Sequence, residues 1–144
     1  MRRSIRAALC AIAIGAATLG PAAAGISASQ AAVLTCNRVF VYQDANVPGV
    51  YPSWTPYNCQ LVRGDKGEGV EQLQNSIDIC YNQLLYDHGL QPLQVDGDFG
   101  SKTQAALKVV QAASGTAADG EYGPKTRLAM KHQTTSGEGC KRIT

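Results

Sequence analysis

The chain has 144 residues, with 13 Lys and Arg against 11 Asp and Glu. This length admits one domain, or one small domain plus a tail. Removing Arg2, Arg3 and Arg6 with the N-terminal segment leaves 10 basic against 11 acidic residues, a net charge of −1; with no basic surplus to neutralise phosphates, nucleic acid is excluded as the main partner.

Arg2, Arg3 and Arg6 precede a short apolar run from Ala7 to Leu19, and small residues follow through Ala22-Ala23-Ala24. This is the pattern of a secretory signal. Cleavage is expected after Ala24, or as late as Ala31 or Ala32, and residues 1–32 are assigned to the signal. The run is too short, and too soon broken by Gly15, Gly20 and Pro21, to span a membrane. No membrane partner is expected once the signal is removed, and the mature protein is expected to be secreted, extracellular or associated with the cell wall. Cys10 falls within the apolar run and belongs to the signal.

Residues 33–62 form the first unit of the mature chain. Val39-Phe40-Val41-Tyr42 has strand propensity, while Pro48, Pro52 and Pro56 forbid a helix and favour an ordered loop. Five of the nine aromatic residues are here: Phe40, Tyr42, Tyr51, Trp54 and Tyr57. They could form a platform for sugar faces. Packing beneath the loop is the preferred reading, because aromatic rings dominate the cores of small domains.

From Glu68 to His88 the hydrophobic period is helical. Val70, Leu73, Ile77, Cys80, Tyr81 and Leu84 share one arc, and Glu71, Gln72, Asn75, Asp78, Asn82 and Gln83 lie opposite. Gly89 is the expected C-terminal stop.

An internal repeat follows. Asp96-Gly97-Asp98-Phe99-Gly100-Ser101-Lys102-Thr103 recurs 23 residues later as Asp119-Gly120-Glu121-Tyr122-Gly123-Pro124-Lys125-Thr126. In each copy the Asp can bond to its own downstream backbone and the first Gly can take positive φ. The aromatic ring (Phe99, Tyr122) is expected to plug the core, with the Tyr122 hydroxyl alternatively facing a ligand. The second Gly (Gly100, Gly123) is expected to let the backbone pass close by. A helix then starts: Ser101–Ala113 after the first turn, with Ala106, Leu107 and Val110 inward, and Pro124–His132 after the second, with Leu128 and Ala129 inward and Met130 a further inward candidate. Residues 133–144 are polar and are expected to form a tail held by Cys140. The expected fold is mainly α, a three-helix bundle over 63–132 with a disulfide-closed N-terminal lobe of loop and short strand.

Four cysteines remain after signal removal: Cys36, Cys59, Cys80 and Cys140. An even number in a short exported chain indicates two disulfides. Three pairings are possible and spacing does not choose among them. Cys36–Cys59 with Cys80–Cys140 is preferred, since the first closes the N-terminal segment and the second ties down the tail. Chain entropy gives such links about 3.4 and about 4.3 kcal/mol at most. The C-x₂₋₄-C spacing of a structural zinc site is absent, and no metal or other cofactor is expected.

Arg63-Gly64-Asp65-Lys66-Gly67, Val70 and Leu73-Gln74, followed by the two Asp-Gly-acid-aromatic-Gly-x-Lys-Thr turns, resemble the peptidoglycan-binding-like domain family over residues 63–132. Ala105-Ala106-Leu107 and Val110-Gln111 stand where that family has its second helix. The sequence departs from the family with Val110 in place of a Phe, Arg127 in place of a frequent Trp, and a longer stretch between Gln74 and Asp96. The resemblance implies a three-helix domain that attaches to bacterial cell-wall peptidoglycan without catalysis. The alternative is an extracellular protein–protein module on the same fold, an inhibitor or accessory subunit of a secreted enzyme. No catalytic residues are identified: His88 and His132 are on separate elements, and neither an HExxH nor a Gly-x-Ser-x-Gly motif occurs. Candidate ligand-binding residues are Lys102 and Lys125, in first helical turns where a helix dipole disfavours a cation and favours an anion, together with Tyr122, Asp96 and Asp119. Stem-peptide carboxylates fit such a site.

Overall fold

The computed structural model describes residues 33–144; the expected signal, residues 1–32, lies outside the described residues. Nine elements follow one another: β1 (Leu34–Thr35), β2 (Arg38–Tyr42), β3 (Ala45–Gly49), β4 (Cys59–Gln60), α1 (Glu68–Asp87), α2 (Ser101–Ala113), α3 (Pro124–Ala129), β5 (His132–Gln133) and β6 (Cys140–Lys141). The strands pair as three two-stranded sheets: β1 parallel to β4, β2 antiparallel to β3, and β5 antiparallel to β6. The architecture is therefore three helices interleaved with short strand pairs, and it carries more strand than the sequence reading allowed.

The β2–β3 hairpin turns at Gln43 and Asp44, both with positive φ, as a two-residue hairpin loop demands. Pro48 lies within β3 opposite Val39. Both Cys36–Cys59 and Cys80–Cys140 are formed, as the preferred pairing required. Cys36, Val50, Cys59 and Leu61 from the N-terminal segment share one core with Val70, Leu73 and Ile77 of α1, Leu107 and Val110 of α2, and Phe99, Tyr122 and Met130. The contact between the two parts is tight at Gly69, where any side chain would come within 2.2 Å of the Cys36 carbonyl oxygen.

Helix α1 begins at the expected residue, with Glu68 and Glu71 in its first turn, where negative charge complements the dipole. It ends before Gly89, whose φ is 67°. Backbone at Tyr81 is non-helical (φ −133°, ψ 20°) and kinks the helix. Beyond it the buried face shifts in phase, so Leu85 is fully buried and Leu84 and Tyr81 are only partly so. The Tyr81 hydroxyl accepts a bond from the Lys131 N–H at 2.6 Å and lies 3.3 Å from the Ser114 hydroxyl. Cys80 is half-buried. Gln72, expected outside, is buried because its amide donates to the Ser76 hydroxyl at 3.2 Å.

The sequence set the bounds of α2 correctly. Helix α3 is shorter than expected: Met130 turns extended (ψ 164°) and ends it. Leu128, expected inward, is 45% exposed, whereas Met130, the further inward candidate, is fully buried. The residues expected as a loose tail are built into the fold. Strands β5 and β6 pair, Ile143 is buried with Ala45 and Val47, and Thr144 exchanges hydrogen bonds with the Gln43 side chain. The rings of the first unit divide. Phe40, Tyr42 and Tyr57 pack on one another, whereas Tyr51 and Trp54, expected beneath the loop, project into solvent.

His132 is buried in β5. Its Nε2 donates to the Arg127 carbonyl at 2.8 Å, which fixes the tautomer, while Nδ1 is buried with no hydrogen-bond partner among the described residues. Burial lowers its pKa to about 4. As the pH falls from about 6.5 towards 4, the unfolded chain binds a proton that the folded imidazole refuses, so stability is full above this window and lost through it. Unfolding free energy is expected to fall over this range, with a slope for this group approaching about 1.4 kcal/mol per pH unit, and the melting temperature falls with it. Calorimetry of His132→Gln should show a flatter slope between pH 6.5 and 4; an unchanged slope would mean that this imidazole is not the source.

A second prediction concerns the C-terminal disulfide. Because the Cys80–Cys140 link spans 60 residues and anchors β6, Cys80→Ser with Cys140→Ser is expected to cost about 2–4 kcal/mol in denaturant unfolding. Hydrogen exchange should show residues 132–144 opening first. Uniform loss of protection across the fold would contradict this placement.

Candidate functional site

The repeat in sequence is a repeat in structure, and each copy is built around a buried glutamine. In the first turn, the Gln74 amide nitrogen lies 2.9 Å from Asp96 Oδ1, 3.0 Å from the Asp98 carbonyl and 3.1 Å from Thr103 Oγ1. Its oxygen accepts the N–H groups of Asp96 at 3.1 Å and Gly97 at 2.8 Å. In the second, the Gln111 nitrogen lies 2.7 Å from Asp119 Oδ1 and 2.9 Å from both the Glu121 carbonyl and Thr126 Oγ1, and its oxygen accepts the Gly120 N–H at 2.8 Å. Asp96 and Asp119 also each accept the N–H two residues on, at 2.9 Å. Gly97 and Gly120 have φ of 69° and 76°, as expected of residues following an Asp in a tight turn.

The aromatic residue of each turn goes inward. Phe99 is fully buried and Tyr122 is 1% exposed. The Tyr122 hydroxyl therefore does not face a ligand; burial raises its pKa and it has no hydrogen-bond partner among the described residues. Gly100 and Gly123 were expected to permit a close approach. Both instead have extended backbone, cap α2 and α3, and have open space where a side chain would start. The chain between Leu61 and Gly67 runs past both turns. Leu61 exchanges backbone bonds with Tyr122 at 2.8 and 2.9 Å; Phe99 donates to Asp65 and accepts from Gly64; Gly67 donates to Gly97.

Lys102 and Lys125 lie at two separate hollows. The Lys125 hollow, of about 300 Å³ at the second turn, is lined also by Asp119, Glu121 and Gln60. The other, of about 270 Å³, is lined by Asp96, Asp98, Lys102 and Gln94. Lys102 donates to the Pro92 carbonyl at 2.7 Å. Asp96 and Asp119 are occupied by their own turns, and hydrogen bonding from the Asp98 N–H, then from Gln74, holds the Asp96 carboxyl below its usual range. Asp98 is not merely solvated but ion-paired with Lys66. Each hollow thus presents both signs of charge. With α3 only six residues long, a helix dipole contributes little at the second. Opposite charges side by side suit a zwitterionic peptide better than a bare anion.

Sequence reasoning noticed Gln74 and Gln111 but gave them no role, and it passed over the contribution of Thr103 and Thr126. The usable signal was the recurrence of an apolar residue followed by Gln, Leu73-Gln74 and Val110-Gln111, ahead of each turn. Among the described residues no group of three or more His, Cys, Asp or Glu side chains could hold a metal ion, and no helix is long and apolar enough to cross a membrane.

Residues 66–130 match the model of the family described as "Putative peptidoglycan binding domain". The resemblance drawn from the double turn holds for this segment. No curated protein matches the chain in sequence. The matched segment opens at Lys66, the ion-pair partner of Asp98, and closes at Met130, the buried residue that ends α3. It includes both glutamines and both turns, while the cystine loop and the β5–β6 pair lie outside it.

If the glutamines hold the turns, replacing one by a shape-matched apolar residue leaves a buried backbone N–H without its partner. Gln111→Leu is expected to cost about 1–3 kcal/mol in denaturant unfolding, chiefly from the orphaned Gly120 N–H. Gln83→Leu, at an exposed position on α1 away from both turns, should change stability by less than about 0.5 kcal/mol. Equal effects would remove the special status of Gln111.

Proposed function

We propose that this protein is an exported, non-catalytic module that attaches to bacterial cell-wall peptidoglycan. The observation that carries this is the pair of glutamine-clamped turns within the segment matching the peptidoglycan-binding family. Each turn fixes a lysine and two acidic side chains around a shallow open hollow. The rigid turn positions opposite charges at little entropic cost, which favours a ligand with its own amine and carboxylate groups. Stem peptides of peptidoglycan carry such groups. Two equivalent hollows on one small domain also suit a repetitive polymer, since a second contact adds to the first through effective concentration.

The test is retention on purified, insoluble peptidoglycan. Lys102→Glu with Lys125→Glu is expected to weaken retention and to flatten its salt dependence. Lys131→Glu with Arg142→Glu makes the same charge change away from the turns and should retain near wild-type binding; Lys108 is unsuitable as a control because its side chain lies against Gly120 in the second turn. Equal loss in both double variants would indicate a general charge effect. Absence of retention by the wild-type protein would overturn the proposed function.

A further inference from the structure

Trp54 is the single tryptophan of the chain and is 102% exposed. It serves no packing purpose in the fold, yet the loop that carries it is held firmly. Val50 donates to the Pro56 carbonyl at 2.8 Å and closes the loop. The Asn37 side chain grips Tyr51 through both its amide atoms, at 2.8 and 2.9 Å. Asn58 donates to Thr55, and the Cys36–Cys59 disulfide fixes the base. A rigid loop that presents a bare indole is pre-organised for a ligand.

The indole borders two hollows. One, of about 420 Å³, is shared with Tyr51, Pro52 and Ser53, and Tyr51 is itself 64% exposed. The other, of about 440 Å³, is shared with Thr55, Tyr57, Asn58 and Arg127. The Arg127 guanidinium lies over the Tyr57 ring, 5.3 Å from its centroid, and its Nε is buried with no hydrogen-bond partner among the described residues. It makes no ion pair among the described residues. The surroundings of Trp54 are thus three prolines, hydroxyls, an amide and one cation. A lipid surface would call for a broader apolar patch with several cations, and a protein partner for a larger contiguous apolar face. A flat aromatic face ringed by short hydrogen-bonding groups matches a sugar ring, with its apolar C–H face and its equatorial hydroxyls. The Arg127 fork matches a carboxylate.

We propose that Trp54 and Arg127 form a glycan subsite that binds a sugar ring bearing a carboxylate substituent, with the ring stacked on the indole and the carboxylate on the guanidinium. The subsite rests on the peptidoglycan reading above and extends it, because the wall polymer joins sugar rings to carboxylate-bearing substituents. It lies outside the family-matched segment at Trp54 and within it at Arg127, so the cystine loop completes a site that the helical part does not form by itself.

Because Trp54 is the sole tryptophan, its fluorescence reports on the subsite directly. With the purified, oxidised protein, a soluble disaccharide–peptide fragment of peptidoglycan should shift the emission saturably. A chitin-derived oligosaccharide, which has sugar rings but no carboxylate, should bind roughly tenfold more weakly. The stem peptide without sugar should leave the emission unchanged. Arg127→Gln should bring the fragment down to the affinity of the oligosaccharide. Trp54→Ala should reduce retention on insoluble peptidoglycan roughly tenfold, and Trp54→Phe should recover part of it; the exposed position keeps both variants folded, which melting curves verify. A response to the peptide as strong as to the fragment, a response to anionic phospholipid vesicles in place of the fragment, or an unchanged affinity in Arg127→Gln would overturn the subsite. Wild-type retention matched by Trp54→Ala would overturn the subsite alone, whereas no retention by the wild type would overturn both the subsite and the wall-binding function.

Discussion

Two buried primary amides, those of Gln74 and Gln111, hold the helical part of this protein together. A tight turn that delivers the chain into a helix leaves several backbone N–H and C=O groups pointing inward, and in the interior each needs a partner. A glutamine amide supplies donor and acceptor on one planar group, so one side chain satisfies both sides of a turn. It also reaches the Thr hydroxyl in the following helix, Thr103 or Thr126. Each turn is therefore locked to the helix before it and the helix after it. A partly satisfied network of this kind would be worse than an apolar core, which makes the whole arrangement depend on the register of the glutamine against the turn.

The first registration is the more demanding, since Gln74 and Asp96 are separated by the remainder of α1 and the loop after it. The kink at Tyr81 and the stop at Gly89 bring the chain back so that Asp96 meets the helix near its own start. The segment Leu61–Gly67 then runs along both turns and joins them by backbone bonds. With these contacts the N-terminal segment cannot be a free appendage: Cys36, Val50 and Leu61 complete the core that the helices leave open. A domain of this size buries a limited apolar surface, and the two disulfides offset that shortage by restricting the unfolded chain at both ends of the fold.

The same division of labour separates scaffold from surface. Aspartates, glycines, threonines and aromatic rings of the repeat are consumed by the turns, and Asp98 and Lys102 are engaged by Lys66 and the Pro92 carbonyl, so the side chains that the turns merely position toward solvent are chiefly Lys125 and Glu121. At the opposite kind of site, the cystine loop is rigid by its own hydrogen bonds and leaves Trp54 and Tyr51 free. Both surfaces are shallow and open, as the proposed attachment to an extended polymer requires.

Much of the local structure was legible in the sequence. Helical periodicity located α1 and α2, Asp-Gly followed by an aromatic residue located both turns, and the cysteine count with two plausible loops gave the pairing that forms. These features are decided by neighbours within a few residues, or by a few strong constraints. What the sequence did not disclose depends on partners far along the chain. The hairpin of β2 and β3 lacks an Asn-Gly turn signal, and its loop at Gln43 is fixed by Thr144, 101 residues away. Helix α3 stops early because Met130 is drawn into the core and the following residues into β5. Leu128 is left outside and Met130 taken inside, since packing selects the side chain that fits and not the one a helical wheel nominates. Gln74 and Gln111 look like ordinary polar helix residues until the fold places a turn against each of them. Composition and spacing determine which elements form; only the tertiary structure decided which polar groups are satisfied inside and which side chains are left outside, because that depends on long-range geometry that no local pattern encodes.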